Sequence, residues 1–294
     1  MTRPSFQVLA LLVGLTLIWG TNWPLFRIAL AELPVLTFRG LVLTTSIIVL
    51  YFVMRLRGES FAVPRGKWPM LLLASLMNLT IWSVATSMAV LYIPSGHASV
   101  LAYTMPLWVA LISFVVFRQR LTGRLLAAIL IGATAVVALM APNFESYSGA
   151  PWGLFWGLFA GFCWAIGTFI VKRTSWPGMG LSLTFWQVIA SWPPIVLGAI
   201  VIDGLPTHPP SALVIAVTLY TGAIPMALGT AAWFALVKLL PTQVAALSSI
   251  AIPIVAVLSG ILLLHEPLSP LQAVAIGSTV ISLWLALVPG RSVG

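Results

Sequence analysis

Residues 241–269 read PTQVAALSSIAIPIVAVLSGILLLHEPLS, and a related stretch occurs 147 residues earlier, half the length of the chain. That earlier stretch, PSGHASVLAYTMPLWVALISFVVFRQRLT, covers residues 94–122. When they are aligned, the two stretches share a proline at the first position, a second proline twelve residues later, one alanine and two leucines. Two prolines at this spacing, one opening an apolar segment and one inside it, indicate an internal repeat, which decides the architecture.

The composition indicates that lipid surrounds most of the chain. Of the 294 residues, 61% are hydrophobic and only 6% are charged, whereas about 25% of the residues of a soluble domain are charged. So few charges would not keep a globule of this size dissolved, which disfavours a soluble enzyme, a disordered protein and a secreted disulfide scaffold. The single cysteine, Cys163, allows no intramolecular disulfide and no multi-cysteine metal site.

The apolar runs are long and do not alternate, which favours membrane-spanning helices over a β-barrel. A helical span needs about 20 apolar residues. The apolar runs place ten spans at residues 5–27, 35–54, 68–91, 95–117, 125–141, 151–171, 180–202, 211–236, 242–263 and 270–288. The prolines at positions 94 and 241 begin the fourth and ninth spans, where a missing backbone N–H does no harm.

Each copy of the repeat contains five spans, so consecutive copies cross the membrane in opposite directions. The front parts of the copies also match, at an offset of 145 residues, which aligns Trp19 with Trp164. We predict an all-α polytopic membrane protein in which ten transmembrane helices form two inverted five-helix repeats, residues 1–147 and 148–294, around a central cavity. Inverted repeats with a binding site near the membrane midplane are typical of transporters.

The basic residues indicate the orientation of the chain. With the N-terminus in the cytoplasm, 12 of the 14 Lys and Arg residues fall on the cytoplasmic side, and only Arg27 and Arg39 fall on the other. This distribution satisfies the positive-inside rule, so we predict that both termini are cytoplasmic. The net charge of +9 is then an orientation signal, and we expect no nucleic-acid partner.

Short motifs occur at characteristic places in the spans. In chain order they are Trp19-Gly20, Pro94 with Ala98 four residues later, Pro106, Pro241, Pro253 and His265-Glu266-Pro267-Leu268. This pattern resembles the EamA-type proteins of the drug/metabolite transporter superfamily over nearly the whole chain. The first copy departs from the pattern at Gln119 and Arg120, a position that we expect to cap a helix end. The many aromatic residues along the spans are most like those of YddG-type amino-acid exporters.

The resemblance implies two inverted five-span repeats, cytoplasmic termini, a central cavity and a location in the bacterial inner membrane. Family members move small metabolites, commonly amino acids and often outward. We therefore expect export or exchange of amino acids, including aromatic and other neutral ones, by alternating access. Efflux of other small amphipathic metabolites or drugs is the alternative. We expect small-molecule substrates and the lipid bilayer as partners, and a functional monomer.

Polar and aromatic residues inside the spans are the candidates for a substrate site. A buried polar residue is costly in a membrane, and a zwitterion needs polar atoms to replace water and apolar walls for its side chain. Asparagine can instead bridge two helices, and a histidine near a span end can be interfacial, so these roles stay open. The candidates are Trp19, Asn22, Asn78, Trp82, His97, Ser99, Tyr103, Trp164, Trp186, Gln187 and Tyr220.

Prolines and glycines inside the spans suggest where helices bend and pack. Pro106 and Pro253 each remove one helical hydrogen bond, so we predict paired hinges, although static bends are equally compatible. Three glycines four residues apart on the sixth span form a small-residue stripe that lets a neighbouring helix approach closely. These helix-packing residues are Gly153, Gly157 and Gly161.

Missing residue patterns narrow the function. No Asp or Glu lies inside a predicted span, which disfavours the small multidrug antiporters. No phosphate-binding loop is present, which excludes ATP hydrolysis by this chain. Three widely separated histidines make an enzyme or a metal site unexpected, and we expect no cofactor. We also expect no membrane-embedded Arg or Lys that could serve as a counter-charge.

Overall fold

The computed structural model describes residues 6–116, 118, 122–146, 150–204, 208–233 and 242–287, and the regular structure of these residues is entirely helical. We label the helical segments in chain order. They are α1 (Phe6–Leu30), α2 (Val35–Arg57), α3 (Arg65–Tyr92), α4 (Ser95–Val115), α5 (Gly123–Ser146), α6 (Ala150–Arg173), α7 (Leu181–Asp203), α8 (Ala212–Trp233), α9 (Thr242–Leu264) and α10 (Pro270–Leu287).

The surface of this helical bundle is suited to lipid. Among the described residues, six segments (α2, α3, α4, α6, α7 and α8) are long and apolar enough to cross a membrane, and shorter apolar stretches lie in α5, α9 and α10. Large apolar side chains such as Leu56, Val201 and Leu262 are largely exposed, whereas many serines and threonines are buried between helices. The chain is therefore a helical membrane protein, and ten membrane crossings stay a prediction.

Helix packing follows a pattern that is repeated in the two halves of the chain. The contact of α1 with α9 corresponds to the contact of α6 with α4. The contact of α3 with α6 likewise corresponds to that of α8 with α1. In the same way, α2 packs on α8 as α7 packs on α3. The pairs α2–α7, α4–α9 and α5–α10 bring together segments five apart in the order. Each of these contacts therefore has a counterpart when every segment is exchanged for the one five places away.

Several helices depart from regular α geometry. Helix α3 contains a π-helical turn at Leu76–Ile81, and α8 contains one at Gly222–Gly229. These two segments are five apart in the order, so they are equivalent in the predicted repeat. A further π turn, Ala199–Asp203, ends α7. Mid-helix π turns often mark functional sites, because they shift side chains around the helix and leave backbone carbonyls for other donors.

The two predicted hinge prolines lie in different surroundings. Helix α4 leaves the α conformation between Ser95–Ala102 and Met105–Val115, just before Pro106. Helix α9 runs as one α-helix through Pro253. The sequence pattern predicted equivalent bends, and the structure shows an interrupted helix at the first proline and a continuous one at the second.

The observed helix ends lie within three residues of the predicted spans, except that α5 ends five residues later than predicted. Helix α2 continues to Arg57 because Gly58, in the left-handed conformation with φ of 64°, is the residue that ends it. The predicted ends at residues 5, 117, 236 and 288, and the sequence departures at Gln119 and Arg120, lie outside the described residues.

Candidate functional site

A small cavity lies where α3, α6, α7 and α8 meet. Its volume is about 10 Å³, which is room for roughly one water molecule. It is lined by two residues of the α3 π turn and four residues from the other three helices. These lining residues are Asn78, Leu79, Trp164, Thr184, Gln187 and Thr230. Helices of both predicted repeats therefore contribute to one central site.

Two buried amide atoms of the cavity residues have no hydrogen-bond partner in the part of the chain that the structure describes. They are Oδ1 of Asn78 and Nε2 of Gln187, on residues that are 5% and 2% exposed. Leaving such an atom unpaired costs about 1–3 kcal/mol, so native proteins rarely do so without a reason. One atom accepts a hydrogen bond and the other donates one. The pair thus matches the ammonium and the carboxylate of a zwitterion.

Gly167 on α6 makes room for the Asn78 side chain. A Cβ atom at position 167 would overlap Oδ1 of Asn78. The amide of Asn78 therefore lies directly against the α6 backbone, at a point where only glycine leaves the necessary space.

Aromatic rings extend from the cavity along one side of the bundle. The ring centroid of Trp82 lies 4.7 Å from that of Trp164 and 6.4 Å from that of Tyr103. Tyr103 continues to Trp23 at 6.3 Å, and Trp23 to Phe26 at 5.7 Å. These separations are those of interacting aromatic pairs, so the cavity has an apolar, aromatic wall beside its polar amides.

Each of the two equivalent π turns is held by a serine of the other predicted repeat. Ser191 on α7 donates from Oγ to the carbonyl of Ser75, just before the α3 π turn, at 3.3 Å. Ser46 on α2 donates from Oγ to the carbonyl of Gly222, the first residue of the α8 π turn, at 2.8 Å. Both serines are fully buried. The two bonds are equivalent under the repeat and cross between its copies.

Three carboxylates at one end of the bundle, which we call the acidic end, cap helices of the opposite repeat. Backbone N–H groups at a helix start have no partner within the helix, and carboxylates are favoured there. At the start of α8, Glu32 accepts hydrogen bonds from N (2.6 Å) and Oγ (2.7 Å) of Ser211. At the start of α2, Asp203 accepts from N (2.7 Å) and Oγ1 (2.8 Å) of Thr37. At the start of α4, Glu266 accepts from the backbone N of Ser95 (2.7 Å) and of Gly96 (3.2 Å).

One carboxylate does the same at the opposite end, which we call the basic end because Arg55, Arg57, Arg65 and Lys67 lie there. Glu59 accepts from the backbone N–H of Leu181, at the start of α7, at 3.1 Å. Glu59 follows α2 and caps α7, whereas Asp203 ends α7 and caps α2, so these two contacts are reciprocal. The side chain of the fifth acidic residue lies outside the described residues.

Comparison with known families decides what kind of protein carries this arrangement. The EamA-like transporter family matches the chain twice, over residues 7–141 and residues 151–288. This chain belongs to the EamA-like transporter family. The resemblance identified in the sequence motifs is thereby confirmed.

Relatives of this EamA-like transporter align over nearly their full lengths. A protein named "Probable amino-acid metabolite efflux pump" from Escherichia coli is 27% identical over 277 residues, which is 90% of this chain and 89% of that protein. The uncharacterized transporter YvbV of Bacillus subtilis is 25% identical, and the alignment covers 90% of this chain and 87% of that protein. The uncharacterized inner membrane transporter YedA of Escherichia coli is 25% identical, and the alignment covers 96% of this chain and 91% of that protein.

A solved crystal structure has the same fold. It superimposes on this EamA-like chain with a TM-score of 0.62 and 19% identity, covering 93% of this chain and 96% of the other.

Of the residues predicted for the substrate site, three line the central cavity: Asn78, Trp164 and Gln187. Trp82 and Tyr103 form the adjoining aromatic wall. These five residues belong to four helices, α3 and α4 of the first predicted repeat and α6 and α7 of the second. The sequence alone does not bring these helices together.

Two predicted residues of α1 bind helix α8. The indole Nε1 of Trp19 donates to the carbonyl of Pro225 at 3.0 Å. Oδ1 of Asn22 accepts from Oγ1 of Thr221 at 3.1 Å. Asn22 therefore bridges two helices, which is one of the two roles that the sequence left open for it.

The remaining predicted site residues lie away from the cavity. His97 and Ser99 are buried in the first turns of α4, where Ser99 donates to the carbonyl of Gly96 at 2.7 Å. Trp186 donates from Nε1 to the carbonyl of Phe61 at 2.7 Å, near the basic end. Tyr220 is exposed on α8. None of these four side chains lines the central cavity.

The glycine stripe of α6 packs against α4 and against Ile93, two residues before α4 begins. Added Cβ atoms at Gly153, Gly157 and Gly161 would come within 3.0 Å of Ile93, Leu101 and the carbonyl of Ala102, respectively. This contact is where the small-residue stripe brings two backbones together.

Sequence reasoning missed two cavity residues and one buried cation. Thr184 and Thr230 line the cavity, but threonines are common in the spans and gave no distinguishing signal. The expectation of no membrane-embedded arginine is wrong, because Arg39 lies in α2 with only 4% of its surface exposed. Arg39 lies one helical turn after Val35, the first residue of α2, and its side chain contacts residues of α1 and α3.

Proposed function

We propose that this EamA-like transporter exports or exchanges amino acids across the bacterial inner membrane. The observation that carries the proposal is the pair of unpartnered amide atoms on Asn78 and Gln187 beside the aromatic wall of Trp164 and Trp82. An acceptor, a donor and an aromatic surface suit the ammonium, carboxylate and side chain of an aromatic or other neutral amino acid. The name of the Escherichia coli relative, an amino-acid metabolite efflux pump, supports the same substrate class.

The transport unit in this proposal is ten spans arranged as two inverted repeats, residues 1–147 and 148–294. The two segments matched by the family lie one in each repeat. The helix pairs that recur after a shift of five places also support this division. Because the central cavity draws on both repeats, a single chain completes it, and the protein functions as a monomer.

The size of the cavity and the contacts around it support alternating access. A pocket for a small-molecule ligand usually measures about 300–1,000 Å³, so a cavity of about 10 Å³ must widen to admit an amino acid. Widening toward the acidic end breaks the caps formed by Glu32, Asp203 and Glu266, and widening toward the basic end breaks the cap formed by Glu59. By the positive-inside rule the basic end and both termini are cytoplasmic.

Pro106 and Pro253 are the proposed hinges of this motion. The break in α4 before Pro106 leaves backbone groups that can rearrange, whereas the α9 helix is continuous at Pro253. We expect Pro106→Ala to slow transport several-fold while substrate affinity is retained, and Pro253→Ala to have the smaller effect. Rates and affinities measured together in liposomes test this, and a normal rate in both variants would remove the hinge role.

Uptake of labelled amino acids into liposomes containing the purified protein tests the function. Each amino acid is measured with and without the same compound preloaded, and with and without a proton gradient. We expect saturable uptake that falls at least about tenfold in Asn78→Ala, because a hydrogen bond to a charged group contributes about 1.5–3 kcal/mol. Thr134→Ala, a change at an exposed position of α5, is the matched control.

Absence of uptake for every amino acid by folded protein would contradict the proposal. Folding is established by monodispersity and by a melting temperature equal to that of the control variant. A response to a panel of other amphipathic compounds under the same conditions would then indicate efflux of other metabolites or drugs.

A further inference from the structure

Two arginines bind helix α3 at successive levels between the central cavity and the acidic end. Arg39 donates from Nε to Oγ of Ser87 at 2.6 Å and from Nη2 to Oγ1 of Thr86 at 3.0 Å. Nearer the acidic end, Arg27 donates from Nη1 to the carbonyls at the end of α3, Val90 at 3.0 Å and Ile93 at 3.1 Å.

In the described part of the chain, the charge of Arg39 is paired with no carboxylate. Its guanidinium carbon lies 4.0 Å from the ring centre of Phe26 and 5.1 Å from that of Phe38. Its hydrogen-bond partners are neutral hydroxyls, and no ion pair involving Arg39 occurs among the described residues. Buried charges are normally paired, and an ionisable residue inside a membrane span usually marks a substrate or ion pathway.

Arg39 has donor capacity left for an anion. A guanidinium carries five N–H donors in a planar fork, and the bonds to Ser87 and Thr86 use only its Nε and Nη2 nitrogens. Nη1 makes no hydrogen bond within the described part of the chain. A carboxylate that approached Nη1 would supply the missing negative charge through a charge-assisted bond.

Helix α3 connects Arg39 to the central cavity. Thr86, which Arg39 binds, follows Trp82 by four residues and lies on the same face of the helix. The Trp82 ring packs on Trp164 of the cavity at 4.7 Å. A substrate that leaves the cavity along this aromatic wall toward the acidic end therefore reaches Arg39 next.

A larger cavity lies beyond, at the acidic end. Its volume is about 480 Å³, within the usual range for small-molecule sites. Residues of both predicted repeats line it, including Arg27, Glu32, His265 and Glu266 together with apolar side chains such as Ile28. The cationic and anionic groups of this lining match the carboxylate and the ammonium of an amino acid, and its apolar surface matches an apolar side chain.

We propose that Arg39 and then Arg27 bind the carboxylate of the substrate as it passes from the central cavity to the acidic end. This inference rests on the proposed export function and narrows its substrates to molecules with a free carboxylate. Arg39 provides the selectivity, because its buried guanidinium discriminates most strongly between a charged and a neutral ligand group. Arg27 then holds the carboxylate in the larger cavity before release.

Transport of an amino acid and of its uncharged-carboxyl derivative, the amino-acid amide, tests the proposal. Both are measured as labelled compounds in liposomes for the unmodified protein, Arg39→Gln, Arg39→Lys and Arg27→Gln. Arg124→Gln is the matched control, since Arg124 also lies over an aromatic ring, that of Trp284 at 5.4 Å, but on α5 and away from this path. Thermal unfolding of each variant establishes that it is folded.

We expect the unmodified protein to prefer the amino acid to its amide by about tenfold or more, as befits a charge-assisted bond. Arg39→Gln should lose this preference by transporting the amino acid more slowly, with amide transport little changed. Arg39→Lys should keep part of the preference, Arg27→Gln should reduce it less, and Arg124→Gln should retain it.

Two other results would overturn the inference without touching the proposed function. One is an Arg39→Gln variant that slows both compounds equally, which would assign Arg39 to helix packing alone. The other is an unmodified protein that carries the amino acid and the amide equally well. If the unmodified protein transports no amino acid at all, the proposed function itself fails.

Discussion

The π turns of α3 and α8 are equivalent in the repeat but have opposite surroundings. In α8, the indole of Trp19 fills the space beside the turn and donates to the carbonyl of Pro225 at 3.0 Å. In α3, the alignment places Asn78 opposite Pro225 and Trp164 opposite Trp19. Asn78 and Trp164 instead line a cavity, and Oδ1 of Asn78 has no hydrogen-bond partner among the residues that the structure describes.

In the proposed function, this difference assigns two tasks to equivalent helices of the predicted repeat. Both turns accept a serine hydrogen bond from the opposite predicted repeat, so both are attached to that repeat. Among the described residues, the α3 turn has one buried side-chain atom without a protein partner, Oδ1 of Asn78, whereas the α8 turn carries no polar side chain. We therefore assign substrate contacts to the α3 turn and helix anchoring to the α8 turn.

Adding one methyl group beside each turn has the largest expected effect. Gly167→Ala would drive a Cβ into Oδ1 of Asn78, and Gly229→Ala would bring one within 2.9 Å of Nε1 of Trp19. Overpacking costs about 1–3 kcal/mol in either case. We expect Gly167→Ala to abolish transport, because it displaces the substrate-binding amide, whereas Gly229→Ala lowers the melting temperature and keeps measurable transport.

Gly14→Ala is the control for this pair, since nothing lies within 4 Å of its added Cβ. Melting temperature and initial transport rate are measured for all three variants. If Gly229→Ala stopped transport while Gly167→Ala did not, the assignment of tasks to the two turns would be reversed.

Removing one indole N–H at each turn sharpens the comparison with a smaller change. Trp19→Phe leaves the buried carbonyl of Pro225 without its donor, which we expect to cost about 1–3 kcal/mol of stability with little effect on substrate affinity. Trp164→Phe removes part of the cavity wall, and we expect weaker substrate binding with nearly unchanged stability. Substrate affinity and unfolding, measured side by side, separate the two outcomes.

The feature that the two turns share should respond equally. Ser46→Ala and Ser191→Ala each remove one hydroxyl that bonds a π turn across the repeats, and we expect about 1 kcal/mol of destabilisation from each. The double variant should lose the sum, because the two serines bind different turns. A marked difference between the single variants, measured by thermal unfolding, would show that the two inter-repeat bonds are not equivalent in energy.

Sequence patterns predicted the parts of this fold that depend on local composition. The apolar runs located the helices, and the family resemblance is confirmed. Asn78 and Gln187 were identifiable as candidates because an amide inside an apolar span is rare and costly. The same criterion also selected Asn22, which the structure shows bonded to Thr221, because the cost of a buried amide is the same whether a ligand or another helix satisfies it.

Features that depend on tertiary contacts could not be predicted. The π turn of α3 contains neither proline nor glycine at Leu76–Ile81, so nothing in those residues marks it. The burial of Arg39 depends on which face of α2 meets α1 and α3. The reciprocal caps of Glu59 and Asp203 join residues that are 122 and 166 positions apart in the sequence. Because neither partner is near in sequence, nothing distinguishes these two carboxylates from those of other loop residues.

The smallest predicted effect concerns how the two helices begin. Ser211 is the N-cap residue of α8, and Glu32 of the opposite predicted repeat binds it. The first turn of α3 follows Pro64 and has no side-chain cap. The backbone N–H and the hydroxyl of Ser211 lower the pKa of Glu32 below its ordinary value of 4.5. A lowered pKa means that the cap stabilises the folded state above that ordinary value and is lost as the pH falls through the lowered one.

We therefore expect the difference in melting temperature between the unmodified protein and Glu32→Gln to stay constant from about pH 7 to about pH 5, and to shrink only in more acidic solution. Because Glu32 is solvent-exposed, the difference itself should be small. Glu59→Gln, at the opposite end, is the comparison variant. A difference that already disappeared near pH 6 would mean that the Glu32 carboxylate is not held by Ser211, and that α8, like α3, begins without a charged cap.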